Sequence, residues 1–348
     1  MIKSGRITIH DIAEKLNITA STVSRALNDH PRISDLTKKA VHKMAKQLNY
    51  QPNHIASALR SGKSRLIGVI IPTANRAFFS SVVRGVEEIA NSLDYKVIIC
   101  QSYDDPEKEI ETIDALLSAR VDGIVASTGK QTFTFDHYQR IIDKKIPLIL
   151  FDRGNQDLKV SQVVIDDYRG AYQAVKHLLD QGCKRIAHFT SVSKISIYTD
   201  RMRGYLDALR DANIPIDHKL IIEGDLQLED GRISMEKLLR LKVRPDAVFS
   251  SSDFGAMGAM QVLKEHKIKI PEEVALVGFS NEPFTAYTDP PLTSVDQMSI
   301  TMGKITAEAF FDELKTDKSN FIPQKTVLAP ELIIRGSSLK CIPEPKAI

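Results

Sequence analysis

The sequence predicts an α/β protein, with a small all-α helix-turn-helix head followed by a body of doubly wound parallel sheets. Three observations predict it. Helix caps and helical apolar spacing fill the stretch from Ile7 to Tyr50. From Leu66 onward, short apolar runs alternate with amphipathic segments, the rhythm of strand–helix–strand units. The charge is also divided: residues 1–62 hold ten Lys or Arg against four Asp or Glu, and the remainder 37 against 40. A chain of net charge +3 is therefore a basic head on a mildly acidic body, the asymmetry of an arm that neutralises phosphates.

Thr8 can cap a first helix, with Asp11 as the acidic half of a capping box and Ile12, Ala13 and Leu16 at helical spacing. Asn17 tolerates the left-handed turn that ends it, and Ile18 plugs the turn. Thr19 caps a second helix whose Val23, Ala26 and Leu27 face inward. Ala20, Ser21, Thr22, Ser24 and Arg25 then face outward, small, hydroxylic or cationic, as a helix lying in a major groove requires. An ordinary surface hairpin is the plain alternative. A third amphipathic helix spans about Ser34 to Leu48, with Lys38, Lys39, Lys43 and Lys46 outward.

In the body, the runs Leu66–Ile71, Lys96–Cys100, Gly123–Ala126, Leu148–Phe151, Arg185–Phe189, Ala247–Ser250 and Val274–Gly278 read as buried strands. Between them, Phe79–Leu93, Pro106–Ala119, Ala171–Gln181, Asp200–Ala212, Asp230–Leu239 and Gly255–His266 read as helices. Two similar halves, about 66–162 and 165–292, follow one another. In such sheets a ligand lies beyond the carboxyl ends of the strands, so two in series suggest a cleft between lobes.

At 348 residues and 43% hydrophobic content the chain exceeds one ordinary domain and can bury a core. No apolar run approaches membrane-spanning length and no signal peptide opens the chain, so a cytoplasmic protein with no membrane partner is expected. Cys100, Cys183 and Cys341 lack paired spacing, and nine histidines are scattered without ligand spacing, so neither cofactor nor metal is expected. Gly62-Lys63-Ser64 ends like a phosphate-binding loop, but Ser57 stands where its first glycine belongs and no strand precedes it. Asp253-Phe254-Gly255 spells a kinase triplet without the other kinase signatures. An enzyme is not expected.

Four ordered motifs now coincide: Asp11-Ile12-Ala13, Thr22-Val23-Ser24-Arg25-Ala26-Leu27-Asn28, Leu48-Asn49-Tyr50-Gln51-Pro52-Asn53 and Ile67-Gly68-Val69. With them the chain resembles, from Thr8 to about Leu339, the lactose-repressor (LacI/GalR) family of bacterial transcription regulators. The resemblance implies that Ala20, Ser21 and Arg25 read bases, while Thr22, Ser24, Asn28, Ser34 and Thr37 hold phosphate or backbone. Thr8, Ile9, Tyr50, Asn53, Ala56 and Arg60 complete the implied DNA contacts. Pro52 to Arg60 matches a hinge that turns helical on operator DNA, and Leu59 a wedge into the central minor groove, its plain alternative being a buried linker leucine. The body is similar to periplasmic sugar-binding proteins, whose chain crosses between lobes three times, implied here near 163, 293 and 325.

The domain organisation that follows is a head at 1–50, a hinge and linker at 51–64, a two-lobed body at 65–340 and a tail at 341–348. The N-lobe takes about 65–162 and 294–324, and the C-lobe about 163–293 and 325–340. The tail has Pro343 and Pro345 and no leucine heptad, which favours a homodimer on a pseudopalindromic operator.

For the effector, the resemblance implies Phe78 and Phe79 as packing groups, Asp152 as a hydroxyl acceptor and Arg201 as a two-pronged donor. Ser252 and Asp253 match cleft-lining positions. Leu226 stands where many members use an aromatic, and Ser280, followed by Asn281, where well-known members place an aspartate. The loop thus lacks its strongest hydroxyl acceptor unless Asn281 or Glu282 substitutes. The same residues also fit structural roles: helix caps for Asp152 and Asp253, core aromatics for the phenylalanines, a surface ion pair for Arg201. The expected function is an allosteric, effector-controlled transcription regulator, most simply a repressor, with a sugar or sugar derivative expected as effector on fold-level analogy. The other readings are a sugar-binding sensor or transport component without specific DNA binding, and an enzyme on the same scaffold.

Overall fold

The structure, a computed structural model, describes residues 7–50, 63–193, 195–317 and 321–340. The chain divides into two units at Ser64–Arg65. The expected positions Asn53, Ala56, Leu59, Arg60 and Cys341, the hinge at 51–62 and the tail lie outside the described residues.

Among the described residues the head holds three helices: α1 (Ile9–Leu16), α2 (Ala20–Leu27) and α3 (Asp35–Gln47). Their apolar faces meet on Ile12, Ala13, Val23, Ala26 and Val41, with Leu16, Ile18, Met44, Leu48 and Tyr50 packed around them. Local chemistry sets the ends. The Asp11 carboxylate accepts from the Thr8 amide at 2.7 Å, and Asn17 takes φ 50° to stop α1. Thr19 and Ser34 cap α2 and α3, accepting from the amides of Thr22 and Thr37.

The body contains two six-stranded sheets. The N-lobe strands are β1 (Leu66–Ile71), β2 (Lys96–Gln101), β3 (Gly123–Ala126), β4 (Leu148–Phe151), β5 (Ser161–Ile165) and β11 (Lys325–Leu328), all parallel, in the order β11-β5-β4-β3-β1-β2. The C-lobe strands are β6 (Ile186–Ser191), β7 (Ile221–Gly224), β8 (Ala247–Ser250), β9 (Ala275–Phe279), β10 (Thr293–Asp296) and β12 (Glu331–Ile333). They run β12-β10-β9-β8-β6-β7, with β12 antiparallel at one edge.

The helices are α4 (Ala77–Ser92), α5 (Pro106–Ser118), α6 (Asp136–Asp143), α7 (Asp167–Asp180), α8 (Ser196–Asp211), α9 (Leu228–Leu239), α10 (Asp253–Glu265) and α11 (Ser299–Lys315). α4 and α11 meet backbone to backbone: a Cβ on Gly303 would stand 2.0 Å from the Val82 carbonyl oxygen, and one on Gly85 2.2 Å from that of Ile300. Only glycine permits that approach.

The chain leaves the N-lobe after Ile165, the C-lobe after Asp296 and the N-lobe again after Leu328. Each crossing falls later than the 163, 293 and 325 expected, and correspondingly the lobe boundaries shift. The reason is that each expected crossing lies inside a strand. Ser161-Gln162, Thr293-Ser294 and Lys325-Thr326 open these strands with polar residues, so no apolar run announces them. Backbone bonds hold them in their sheets, as when the Asp152 amide donates to the Val163 carbonyl at 3.0 Å. β7, β12, α6 and α11 were likewise unforeseen.

Candidate functional site: a DNA-reading head and an interlobe cleft

On α2, Ser21 and Arg25 are exposed and Thr22 and Ser24 half-buried, on the face away from Val23 and Ala26. Ala20 departs from its expected outward place and packs partly against the head core. It opens α2 directly after the Thr19 cap, where the chain bends in from the turn. The other hydroxyls also have local work: Thr22 Oγ1 pairs with Thr19 Oγ1 at 2.9 Å, Ser34 Oγ with Thr37 Oγ1 at 2.8 Å, and Asn28 Nδ2 donates to the Ser24 carbonyl. Thr8 is exposed and Ile9 and Tyr50 half-buried against the head core. Arg25 is the exposed cation of this helix face.

In the body, residues just past the carboxyl ends of strands from both sheets enclose a cavity of about 110 Å3 that opens to solvent. Its position obeys the strand-end rule. The expected Phe78, Phe79, Asp152, Arg201, Leu226, Ser252 and Ser280 line it. Phe78 and Phe79, on the first turn of α4, meet edge to face at 5.1 Å. Asp152 follows β4 in the left-handed region (φ 61°), 5% exposed beside Arg153 and within 3.5 Å of Ser127 Oγ. Burial raises its carboxyl pKa, opposed by the charges of Arg153 and Arg201.

Arg201, on α8, stacks at 3.6 Å on the Phe279 ring; its Nε donates to Asp167 at 2.7 Å and its Nη1 to the Ser251 carbonyl at 2.9 Å. Two of its five N–H donors are thus spent on the protein. Burial pushes the partner carboxyl of Asp167 up to about 7 despite the Arg201 charge and hydrogen bond. Ser252 both lines the cavity and caps α10, accepting from the Phe254 amide at 3.3 Å.

Two expected contacts are corrected. Asp253 is 1% exposed beneath the cleft floor, where its carboxylate accepts from Ser294 Oγ at 2.6 Å and the Glu282 amide at 2.8 Å. Asn281 turns the other way: its Nδ2 donates to Asp296 at 2.8 Å and its Oδ1 accepts from Arg335 at 2.8 Å. Both tie down the loop after β9 and neither lines the cavity. Ser280, at φ 122°, donates a hydrogen bond from its hydroxyl to Gln297 Oε1 at 2.7 Å. Of the two proposed substitutes for an acidic acceptor, Glu282 is the one in the cleft.

The cavity also gathers Arg76, Asp104, Lys130, Arg153, Tyr198, Gln227 and Gln297, none singled out from sequence. Arg153 is 6% exposed; it pairs with Asp104 and donates to the Thr128 carbonyl at 2.9 Å. Desolvation would raise the Asp104 pKa, but Arg153 and the Lys130 amide hold it below the usual carboxylate range. Tyr198 supplies the aromatic surface that Leu226 lacks. Arg153 was within reach of sequence reading, since it follows Asp152 at a strand end. Tyr198 lies one helical turn before Arg201, and nothing local marks it. The lobes touch across the cleft: Arg76 Nη2 donates to Gln227 Oε1 at 2.9 Å, and the Ala77 amide to Glu282 Oε2 at 3.0 Å.

A basic head with an outward cation and a two-sheet body with a polar interlobe cavity define a ligand-responsive DNA-binding protein. Comparisons with known proteins agree. Residues 8–53 match the lacI family of bacterial regulatory proteins, and residues 175–338 a periplasmic binding protein-like domain. The chain is 31% identical over 330 residues to the HTH-type transcriptional repressor PurR of Actinobacillus pleuropneumoniae serotype 3, covering 95% of this chain and 98% of that one. It is 32% identical over 335 residues to the HTH-type transcriptional regulator DegA of Bacillus subtilis, covering 96% and 98%. A solved complex of the transcriptional regulator CelR with cellobiose superposes with a TM-score of 0.72 at 26% identity, over 95% of this chain and 100% of that one. The chain belongs to the lacI family, as a sequence-specific DNA-binding transcription regulator with a periplasmic-binding-protein-like body.

Proposed function

We propose that the protein is a cytoplasmic homodimeric repressor whose grip on a pseudopalindromic operator is set by a sugar or sugar derivative held between the lobes. The carrying observation is the convergence of strand-end side chains from both sheets on one polar cavity. Asp152 and Arg201, with Phe78, Phe79 and Tyr198 as apolar walls, present acceptors, donors and ring-packing surface to a hydroxyl-rich molecule. The cellobiose held by the CelR relative supports that class. A ligand touching both lobes changes the angle between them, and that change is the means by which it would alter operator affinity, by roughly 1–3 kcal/mol in typical systems.

Dimer formation is supported by the outer edge of the N-lobe. β2 is half-exposed along its length, and Ile99, with Leu93, Ile110 and Tyr103 nearby in sequence, leaves apolar surface open there. No helix among the described residues is long and apolar enough to cross a membrane. Arg153 and Arg201 are engaged in ion pairs with Asp104 and Asp167, which favours a binding role over a catalytic one.

The test is selection from a randomised duplex pool at fixed salt, followed by a sugar screen for release of the selected operator. Arg201→Ala should keep operator binding and lose the response, while Arg25→Ala should lose specific binding with folding intact. Sequence-blind binding by the unsubstituted protein would defeat the regulator reading. A response surviving Arg201→Ala would take that residue out of the site.

A further inference from the structure

We propose that Glu282 is an internal anion that restricts the effector to an uncharged, hydroxyl-rich molecule and turns away phosphorylated or carboxylated ones. The inference rests on the cleft being the effector site. Its basis is what Glu282 occupies. The first turn of α4 borders the cleft, and the residue before it, Arg76, offers no side-chain cap. Free amides at such a terminus, with the helix dipole behind them, are where a ligand's phosphate or carboxylate would settle.

Glu282 reaches there from the opposite lobe. It is 5% exposed, and burial raises its pKa, but its carboxylate accepts from the Ala77 amide at 3.0 Å and from the Phe78 amide, which with the Arg76 charge favour the anion. Asp253 fixes the backbone behind it, accepting from the Glu282 amide at 2.8 Å. An anionic ligand would have to bring a second negative charge into the same desolvated corner.

The remaining cations offer no compensation. Arg153 is paired with Asp104 and Arg201 with Asp167. Arg76 stacks 3.8 Å from the Phe254 ring centroid, bonds Gln227 and has Glu282 as its leading favourable charge. Lys130 is offset by Asp104, whose carboxyl it helps to stabilise. The cavity is lined by as many carboxylates (Asp104, Asp152, Asp225, Glu282) as cations, so no positive surplus is left for an anion. Two buried polar atoms at the cavity, Arg153 Nε and Ser251 Oγ, have no hydrogen-bond partner. With the Asp152 carboxylate they form a donor-and-acceptor set suited to neutral hydroxyls.

The test uses the full-length protein at constant ionic strength, with inorganic phosphate and glucose 6-phosphate as probes in calorimetric titrations. The unsubstituted protein should bind neither beyond a chloride control. Glu282→Gln keeps the shape and removes the charge, and should bind inorganic phosphate roughly tenfold more tightly. Adding Arg76→Ala should erase that gain, and Glu282→Asp should keep the refusal. Glucose 6-phosphate binding to the unsubstituted protein, lost in Arg201→Ala, would overturn the proposal. So would a Glu282→Gln protein that binds phosphate no better than its parent. If Glu282→Gln fails to fold, the unsubstituted protein and Glu282→Asp decide the question. Phosphate is a probe independent of the natural effector, so its result stands apart from the sugar screen.

Discussion

Ser280 holds a backbone angle, φ 122°, that glycine adopts freely and serine rarely does. Asp152 and Leu226, also on the cavity wall, sit at φ 61°. Such residues store of order 1–3 kcal/mol each and persist because their surroundings fix them. Ser280→Gly should therefore stabilise the fold by about 1 kcal/mol, read as a higher urea midpoint, while weakening the effector response through loss of the bond to Gln297. An unchanged or lower midpoint would show that the hydroxyl bond outweighs the strain. At this scale legibility followed distance along the chain. Asp152 directly follows a strand and Phe79 opens the helix after one, so their place could be read locally. Arg76, Tyr198 and Glu282 gain their meaning only from the facing lobe, and Asp253 lost its expected place because Ser294, far along the chain, claims its carboxylate.

At the scale of elements, the head was the most legible part, because caps such as Thr19 and Ser34 and a left-handed stop at Asn17 are local chemistry. Buried strands with continuous apolar runs, such as β1 and β4, were equally plain. β5 and β10 were not, because Ser161, Gln162, Thr293 and Ser294 are polar yet buried, satisfied by partners that sequence does not reveal. The α4–α11 contact is another hidden feature. Gly303→Ala would press a methyl group into the Val82 carbonyl and should cost roughly 1–3 kcal/mol in urea unfolding, with the slope of the transition unchanged. A cost near zero would mean the helices can part without loss.

At the scale of the molecule, buried carboxyls give stability a pH dependence. Burial pushes Asp253 up to about 7, against the hydrogen bonds from Ser294 and the Glu282 amide. Between its ordinary value of 3.8 and about 7 the folded state holds a proton that the unfolded chain has released. This group's contribution is therefore greatest at low pH, declines as pH rises through that window and levels off above it. Measured against Asp253→Asn, stability should fall with a slope of at most about 1.4 kcal/mol per pH unit. A difference that rises with pH would show that Asp253 stays ionised. The crossovers between lobes carry a consequence of another kind, for the order in which the protein is made. Each sheet receives an edge strand, β11 or β12, from the far end of the chain. During synthesis the DNA-reading head can fold as soon as it emerges, whereas neither lobe is complete until β11 and β12 have followed. The part that grips DNA is thus finished well before the part whose cleft would receive the signal.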